Sequence, residues 1–292
     1  MAVPNSSIPH RNRKLCFNAF NGSPWTGQGV PLHQQIAAAA SAGFSAVSLD
    51  RYTVEAFLGG GGTVAHIRRL LGEAQIDCGA LTAAGMIGAD PTAVDAIRLA
   101  SAWACEVNAP FVQINVGCAG SDQRTQLEAA CDAMHEGPRL AVEYMPFTPL
   151  ARVSDAVALV TQVGRERAGV LIDVWHHERG PDGWAELTTV PADAIAYVEF
   201  DDGLPLGPDL TEDTMQRRAM PGQGEFNLHQ FVDAIDAIGF DGMVSVEVLN
   251  AEWRTKSMDA FAAEAYRTSA PYWEGPSDNR QPTSPRAFLS KS

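Results

Sequence analysis

Short apolar runs alternate with alanine-rich segments of helical length along almost the whole chain. This alternation limits the possible folds more than any other feature of the sequence. Strand-like runs stand at 15–20 (LCFNAF), 45–50 (SAVSLD), 77–82 (DCGALT), 111–116 (FVQINV), 139–145 (RLAVEYM), 169–175 (GVLIDVW), 194–200 (AIAYVEF) and 242–249 (GMVSVEVL). Helical segments are expected near 31–42, 62–74, 90–107, 121–135, 152–164, 184–188, 227–238 and 256–270. Strands separated by helices pair in parallel through right-handed crossovers. A doubly wound sheet would satisfy that rule, but eight units in 292 residues suit a closed (β/α)8 TIM barrel better, a fold that takes ~250 residues. Punctuation agrees. Gly43 and Gly239 stand where left-handed helix C-caps are needed. Asp90 followed by Pro91 reads as an N-cap and first-turn proline. The GGGG of 59–62 reads as a loop, since no strand directly precedes it and no GK[ST] follows. The expected organisation is one domain, 15–272, between an N-terminal extension (1–14) and a polar tail (273–292).

Composition narrows the class. Hydrophobic residues make up 46% of the chain, enough for a large core. No apolar run reaches the ~20 residues needed to span a bilayer, and no apolar stretch follows the opening MAVPNSSIPHRNRK, so no secretory signal is expected. Five scattered cysteines without a CxxC pair read as reduced thiols, and the expected location is the cytoplasm. With 21 basic against 35 acidic residues the net charge is −14. That is a poor match to a phosphate backbone, so neither nucleic acid nor membrane is expected as a partner. A small-molecule substrate is expected, and a homo-oligomer is compatible with the sequence.

Acidic residues recur where the late strand-like runs break. The fifth ends at Glu143, the sixth at Asp173, the seventh at Glu199 and Asp201, and the eighth at Glu247. In a β/α barrel the C-terminal strand ends form the mouth where chemistry occurs. Alternation puts Glu143 with Ala141, Asp173 with Leu171 and Glu247 with Ser245 on the inner face. Any one of these acids has a second reading as a helix N-cap. Several on consecutive strands point instead to convergence, and two like charges ~4 Å apart cost about 4 kcal/mol at an effective dielectric near 20. Either protons or a cation must neutralise them. Hard oxygen donors with at most one imidazole favour Mn²⁺ or Mg²⁺. His176 and Arg179 follow Asp173 at three-residue steps in DVWHHER and are placed at the same mouth, with His177 pointing elsewhere.

The order Glu, then DxxHxxR, an acidic strand end, PGxGE and GFDGxVSVE resembles the xylose isomerase-like TIM barrels, the sugar phosphate isomerase/epimerase family. The most specific part is MPGQGEFNLHQFVDAIDAIGFDGMVSVEVL at 220–249; the likeness extends over about 15–270 and is firmer from 139 onward. It implies a divalent metal, Mn²⁺ or Mg²⁺, held at Glu143, Asp173, the Glu199 position and Glu247. It further implies that Glu143 and Glu247 shuttle a proton beside a carbonyl. His176 and either Arg217 or Arg218 would touch substrate oxygens; Arg217, Arg179 and Trp175 are taken as the substrate-contacting set. The chain departs from the pattern at Glu199, where the family carries His or Gln. DNA-repair endonucleases of the same barrel need a histidine-rich metal cluster, which this chain lacks.

The resulting expectation is a metal-dependent isomerase or epimerase of a sugar- or cyclitol-like hydroxy-carbonyl compound. The same parts would serve a dehydratase of a cyclic keto acid such as 3-dehydroshikimate or a keto-inositol, so the fold does not choose the reaction. A non-catalytic binding barrel, or a subunit of a larger complex, is the reading of another class. Trp25, Trp175, Phe147 and Phe200 near the expected mouth hint at a substrate less polar than a free sugar.

Overall fold

The structure, a computed structural model, describes residues 13–274. Eight parallel strands close into a barrel: β1 (Leu15–Asn18), β2 (Ala46–Asp50), β3 (Asp77–Ile87), β4 (Phe111–Val116), β5 (Arg139–Glu143), β6 (Ala168–Asp173), β7 (Ile195–Phe200) and, eighth in the barrel, β10 (Val244–Val246). Their order is β1-β10-β7-β6-β5-β4-β3-β2, closing on itself. The remaining two strands, β8 (Asp202–Gly203) and β9 (Arg218–Ala219), form a separate antiparallel ribbon. Around the barrel run α1 (Leu32–Ala42), α3 (Val64–Ala74), α4 (Ala93–Val107), α5 (Ser121–Ala133), α6 (Val153–Val163), α10 (Leu228–Ile238) and α11 (Met258–Trp273). Among the described residues no helix is long and apolar enough to cross a membrane.

Period-two alternation sets which side chains go inward. Cys16, Ala46, Ala80, Ala141, Leu171 and Tyr197 pack together in the barrel interior. The alternate positions Val142, Ile172, Val198 and Phe200 join the larger core between strands and helices. Small residues dominate the inner layer, and at its upper edge the inward positions turn acidic. Register sets Asp173 beside Glu199 and Glu199 beside Ser245, while Glu143 lies between Asn115 and Leu171.

Gly43 and Gly239 are left-handed helix C-caps with φ of 106° and 77°. The helix expected from 90 begins at Ala93 instead, and Asp90 binds the amide and hydroxyl of Thr92 to shape the preceding turn. The sixth strand ends at Asp173, two residues earlier than expected, because Asp173 caps α7 (Val174–Arg179) by accepting the Trp175 amide. Two further helices stand in segments given no helix or strand by the sequence, α2 (Arg51–Gly59) and α9 (Leu210–Gln216); α8 (Trp184–Leu187) is a single turn. β3 runs past its expected end, breaking register between Thr82 and Met86, with Ala84 at φ 61° and Gly85 at φ 85°. The expected terminal extension and tail lie outside the described residues, apart from 13–14 and 273–274.

The outer core is sealed on one side by aromatic rings. Phe231 of α10 is fully buried, with its ring centroid 6.2 Å from both Phe200 and Trp184 and 6.4 Å from Trp273. Phe231→Ala is expected to cost about 3–5 kcal/mol, the usual loss for emptying such a site. Denaturant unfolding measures it, and a loss below about 1 kcal/mol would contradict this packing role.

Candidate active site

Four carboxylates meet at the C-terminal mouth. Glu143, Asp173, Glu199 and Glu247 each offer an oxygen within 4.8 Å of the others. A second, overlapping group consists of Glu143, Asp173 and His176. Glu143 ends β5, and its Oε2 accepts hydrogen bonds from the Gln113 and Asn115 side chains of β4 at 2.8 and 2.7 Å. Asp173 divides its oxygens between two tasks: Oδ1 caps α7, while Oδ2 lies 2.7 Å from the Arg218 guanidinium. The cap reading and the cluster reading of this residue are therefore both correct. Glu199 Oε1 and Glu247 Oε1 accept from one amide, Asn18 Nδ2 at the end of β1, at 3.0 and 2.8 Å. His176 turns Nε2 toward Glu143 at 3.3 Å and Asp173 at 3.5 Å.

Arg218 holds the centre. Its Nη1 is 2.7 Å from Asp173, 2.7 Å from Asp201 and 3.2 Å from Glu247. Nε donates to the Thr214 carbonyl and Nη2 to the Thr214 hydroxyl. The guanidinium stands over the Trp175 ring at 5.6 Å. Such burial of a charge requires close partners on every side, and local structure supplies them. Arg218 belongs to β9, which pairs with β8. Asp202 of β8 accepts the amides of Gly222, Gly224 and Phe226, fixing the PGQG turn. A Cβ at position 224 would collide with Asp202 and the Gly203 carbonyl, which explains that glycine.

Negative charge exceeds positive here, and the acid strengths respond. Burial pushes Glu199 well above the ordinary carboxylate range, reinforced by Glu247, Glu143 and Asp173. Burial likewise raises Glu247, to about 8, against the pull of Arg218. Asp201 is raised well above its usual value by burial, despite its bond to Arg218. Glu143 goes the other way. Burial alone would raise it, but the facing His176, the Asn115 amide and Arg218 outweigh burial and hold it below the usual range.

Some residues expected at the mouth stand elsewhere. Arg217 is not in the cluster: its guanidinium bonds Asp213 at 2.7 Å and the Pro205 carbonyl, at the surface. Arg217 caps the C-terminus of α9, and it is Arg218, the first residue of β9, that turns inward. Arg179 also lies outside, bonding Glu225 and the Leu204 carbonyl and stacking on Phe226. It clasps α7 to the segments flanking the ribbon. Trp175 is buried behind Arg218 and His176 and does not line the open cavity. Phe200 faces the helices. His177 points away and bonds the Tyr144 hydroxyl through Nδ1. Asn18, Gln113, Asn115 and Thr214 were not anticipated. Gln113 and Asn115 are polar residues at alternate positions of an otherwise apolar strand, a signal that marks an inner face.

The donor set fits a divalent cation. Glu199 Oε2 and Asp201 Oδ1 are buried without a hydrogen-bond partner. Arg218 is the one Lys or Arg side chain bonded to these carboxylates among the described residues. Oxygen donors converging in this way, with one imidazole beside them, suit a hard or borderline ion. Glu143, Asp173, Glu199 and Glu247 are the residues that would hold it.

Comparison with known proteins identifies the family. The family model for the xylose isomerase-like TIM barrel matches residues 36–272. The 3-dehydroshikimate dehydratase of Pseudomonas putida is 30% identical over 110 residues, covering 38% of this chain and 17% of that protein. The inosose isomerase of Halalkalibacterium halodurans is 28% identical over 137 residues, 46% of each. The matched regions thus span less than half the length of these curated relatives. Among solved structures, the IOLI protein with a bound zinc atom superimposes with a TM-score of 0.77 at 18% identity, over 89% of this chain and 97% of that one. D-allulose 3-epimerase from Methylomonas sp. gives 0.67 at 15%, over 90% and 99%. At such identities the structural likeness speaks for the fold, whereas the family match runs through nearly the whole barrel: the chain belongs to the xylose isomerase-like TIM barrel family.

Proposed function

We propose that the chain is a divalent-metal-dependent isomerase or epimerase that moves a proton beside the carbonyl of a sugar- or cyclitol-like hydroxy-carbonyl compound. One observation carries this reading. Of the four clustered carboxylates, Glu143 and Glu247 also line the cavity at the mouth, whereas Asp173 and Glu199 lie behind them. Glu143 comes from β5, and Glu247 directly follows β10, three places away around the eight-stranded ring, so they approach a bound molecule from different sides. One carboxylate removes the proton from the carbon beside the carbonyl. The C–H bonding pair forms a C=C as the carbonyl π pair moves onto its oxygen, giving an enediolate; the C=O then re-forms as the other, protonated, carboxyl gives its proton to the carbon from its own side. The roles exchange in the reverse direction. A bound divalent cation would supply positive charge to stabilise the negative oxygen of such an intermediate. His176, which lines the same cavity, orients a substrate oxygen, and Arg218 fixes the carboxylates. The relatives named as isomerase and epimerase support this class.

Dehydration of a cyclic keto acid, the activity named for the Pseudomonas relative, would call for a cation to hold the substrate carboxylate. Arg218 and His176 are the basic side chains lining the cavity among the described residues. All three nitrogens of Arg218 already have partners. This weighs toward a neutral substrate and against the keto acid.

Glu247→Gln is expected to cut exchange of the proton beside the carbonyl by about a hundredfold or more, the scale of a lost general acid or base. The metal-loaded protein would be incubated in deuterated water with 2-keto-myo-inositol and D-fructose, and incorporation followed by NMR. Exchange in neither compound with the native protein, or unchanged exchange in the variant with an unaltered circular dichroism spectrum, would refute the assignment.

The raised acids give a second expectation. A carboxyl whose folded value lies above its unfolded one stabilises the fold fully below the unfolded value and loses that contribution as pH rises through the folded value. For Glu247 the window runs from 4.5 to about 8. Metal binding needs these groups deprotonated, so it opposes the loss. The gain in Tm from Mn²⁺ over chelator-treated protein should therefore be larger at about pH 9 than at about pH 6. A gain that shrinks with rising pH would contradict the site.

A further inference from the structure

The carboxylates occupy one half of the ring of strands, and the other half offers the cavity only neutral groups. Asp173 and Glu199 stand on β6 and β7, between Glu143 of β5 and Glu247 just after β10. Across from them the cavity, about 270 Å³ in volume, is lined by Thr82 of β3, Gln113 and Asn115 of β4, and Tyr52 of α2. Thr82 is the register partner of Gln113, so strand pairing gathers the three strand residues into one patch. The charged or titratable acid and base side chains lining the cavity among the described residues are Glu143, His176, Arg218 and Glu247, and none of them belongs to β1–β4.

The patch has hydrogen-bonding capacity to spare. The Gln113 and Asn115 nitrogens both donate to Glu143 Oε2. A carboxylate only accepts, which fixes the nitrogen end of each carboxamide and turns its oxygen the other way. Among the described residues Gln113 Oε1, Asn115 Oδ1 and the hydroxyls of Tyr52 and Thr82 have no hydrogen-bond partner. Neither carboxamide oxygen is sealed from solvent. Gln113 is only 8% exposed, so the space its oxygen opens onto is the cavity. Such an oxygen accepts and never donates. A substrate hydroxyl can satisfy it. A phosphate or carboxylate would set lone pairs against lone pairs, with no cation free to compensate, since every nitrogen of Arg218 has a partner. A bare methylene would leave the oxygens desolvated and unpaired, which is costly. The rings of Trp25 and Phe147, which alone would suggest a less polar ligand, are 52% and 37% exposed and partly turned to solvent.

We infer that Thr82, Gln113 and Asn115, together with the Tyr52 hydroxyl, determine the specificity of this site: they bond free hydroxyls on the side of the substrate turned away from Asp173 and Glu199, and so select an unphosphorylated polyol. The inference rests on the proton-transfer reading above for the hydroxy-ketone part; the choice of free hydroxyls follows from the unpaired oxygens.

Gln113 and Asn115 cannot be replaced without releasing Glu143, so the probes report on their oxygens and a variant removes the hydroxyls. The test uses the full-length, Mn²⁺-loaded protein and matched pairs of probes. One pair is 2-keto-myo-inositol and 2-hydroxycyclohexanone, which keeps the ring and the hydroxy-ketone without the remaining hydroxyls. The other is D-fructose and D-fructose 6-phosphate. In calorimetric or NMR titrations the free polyol of each pair should bind at least about tenfold more tightly than its counterpart. A Tyr52→Phe/Thr82→Val variant should weaken 2-keto-myo-inositol by about tenfold, the scale of two lost hydrogen bonds, and 2-hydroxycyclohexanone by less than about twofold. Its Mn²⁺ content and circular dichroism should stay native. Failure of either polyol to bind, equal or tighter binding of its counterpart, or a variant that leaves 2-keto-myo-inositol unchanged or weakens both ring probes alike would overturn the inference. Deuterium exchange beside the carbonyl separates the two readings. A polyol preference without exchange supports the hydroxyl-reading patch and counts against proton transfer; exchange in 2-hydroxycyclohexanone at undiminished affinity supports proton transfer and overturns the patch.

Discussion

The rest of the site depends on the buried guanidinium of Arg218 and the excess of carboxylates around it. Asp173, Asp201 and Glu247 all face its Nη1, and Glu143 and Glu199 complete the same mouth. One positive charge does not balance five carboxyl groups. Without a further cation the cluster lowers its charge by holding protons, which is the direction in which Glu199, Glu247 and Asp201 are all shifted. A site built this way is unfavourable as an empty, fully ionised structure. A divalent ion held by Glu143, Asp173, Glu199 and Glu247 would offset that repulsion.

That arrangement requires rigid support, and the surrounding fold is organised to give it. Barrel register sets Asp173 of β6 beside Glu199 of β7, with Glu143 of β5 beside Leu171. Asn18, Gln113 and Asn115 fix three carboxylates through amide donors. Arg218 arrives from outside the barrel, on a ribbon tied down by Asp202 and clasped by Arg179 through Glu225. The loop carrying the guanidinium thus behaves as part of the scaffold, in keeping with the need to hold reacting groups in fixed positions.

Much of this was legible in the sequence. Alternating strand and helix segments prescribed the barrel, and acids at the ends of the late strands prescribed the mouth. Period-two alternation also put Ala141 and Leu171 on the inner face, where they pack. What escaped depends on contacts between distant segments. Arg217 and Arg218 are adjacent and chemically alike, and only the pairing of Arg218–Ala219 with Asp202–Gly203 decides which turns inward. α9 carries little hydrophobic periodicity in LTEDTMQ; its one local signal was Asp209 three residues before Glu212, and Asp209 does cap it. The early-strand partners Asn18, Gln113 and Asn115 are unremarkable singly. They acquire meaning only when closure sets β1 beside β10 and β4 beside β5.

The central claim is that these carboxylates form a cation site. The most direct measurement is a Mn²⁺ titration followed by electron paramagnetic resonance, comparing the native protein with a Glu143→Ala/Asp173→Ala variant whose fold is verified by circular dichroism. The account predicts roughly one tightly bound Mn²⁺ per native chain, as a cluster of hard oxygen donors should hold, and its loss from the variant. Equal tight binding by both proteins, or by neither, would contradict it.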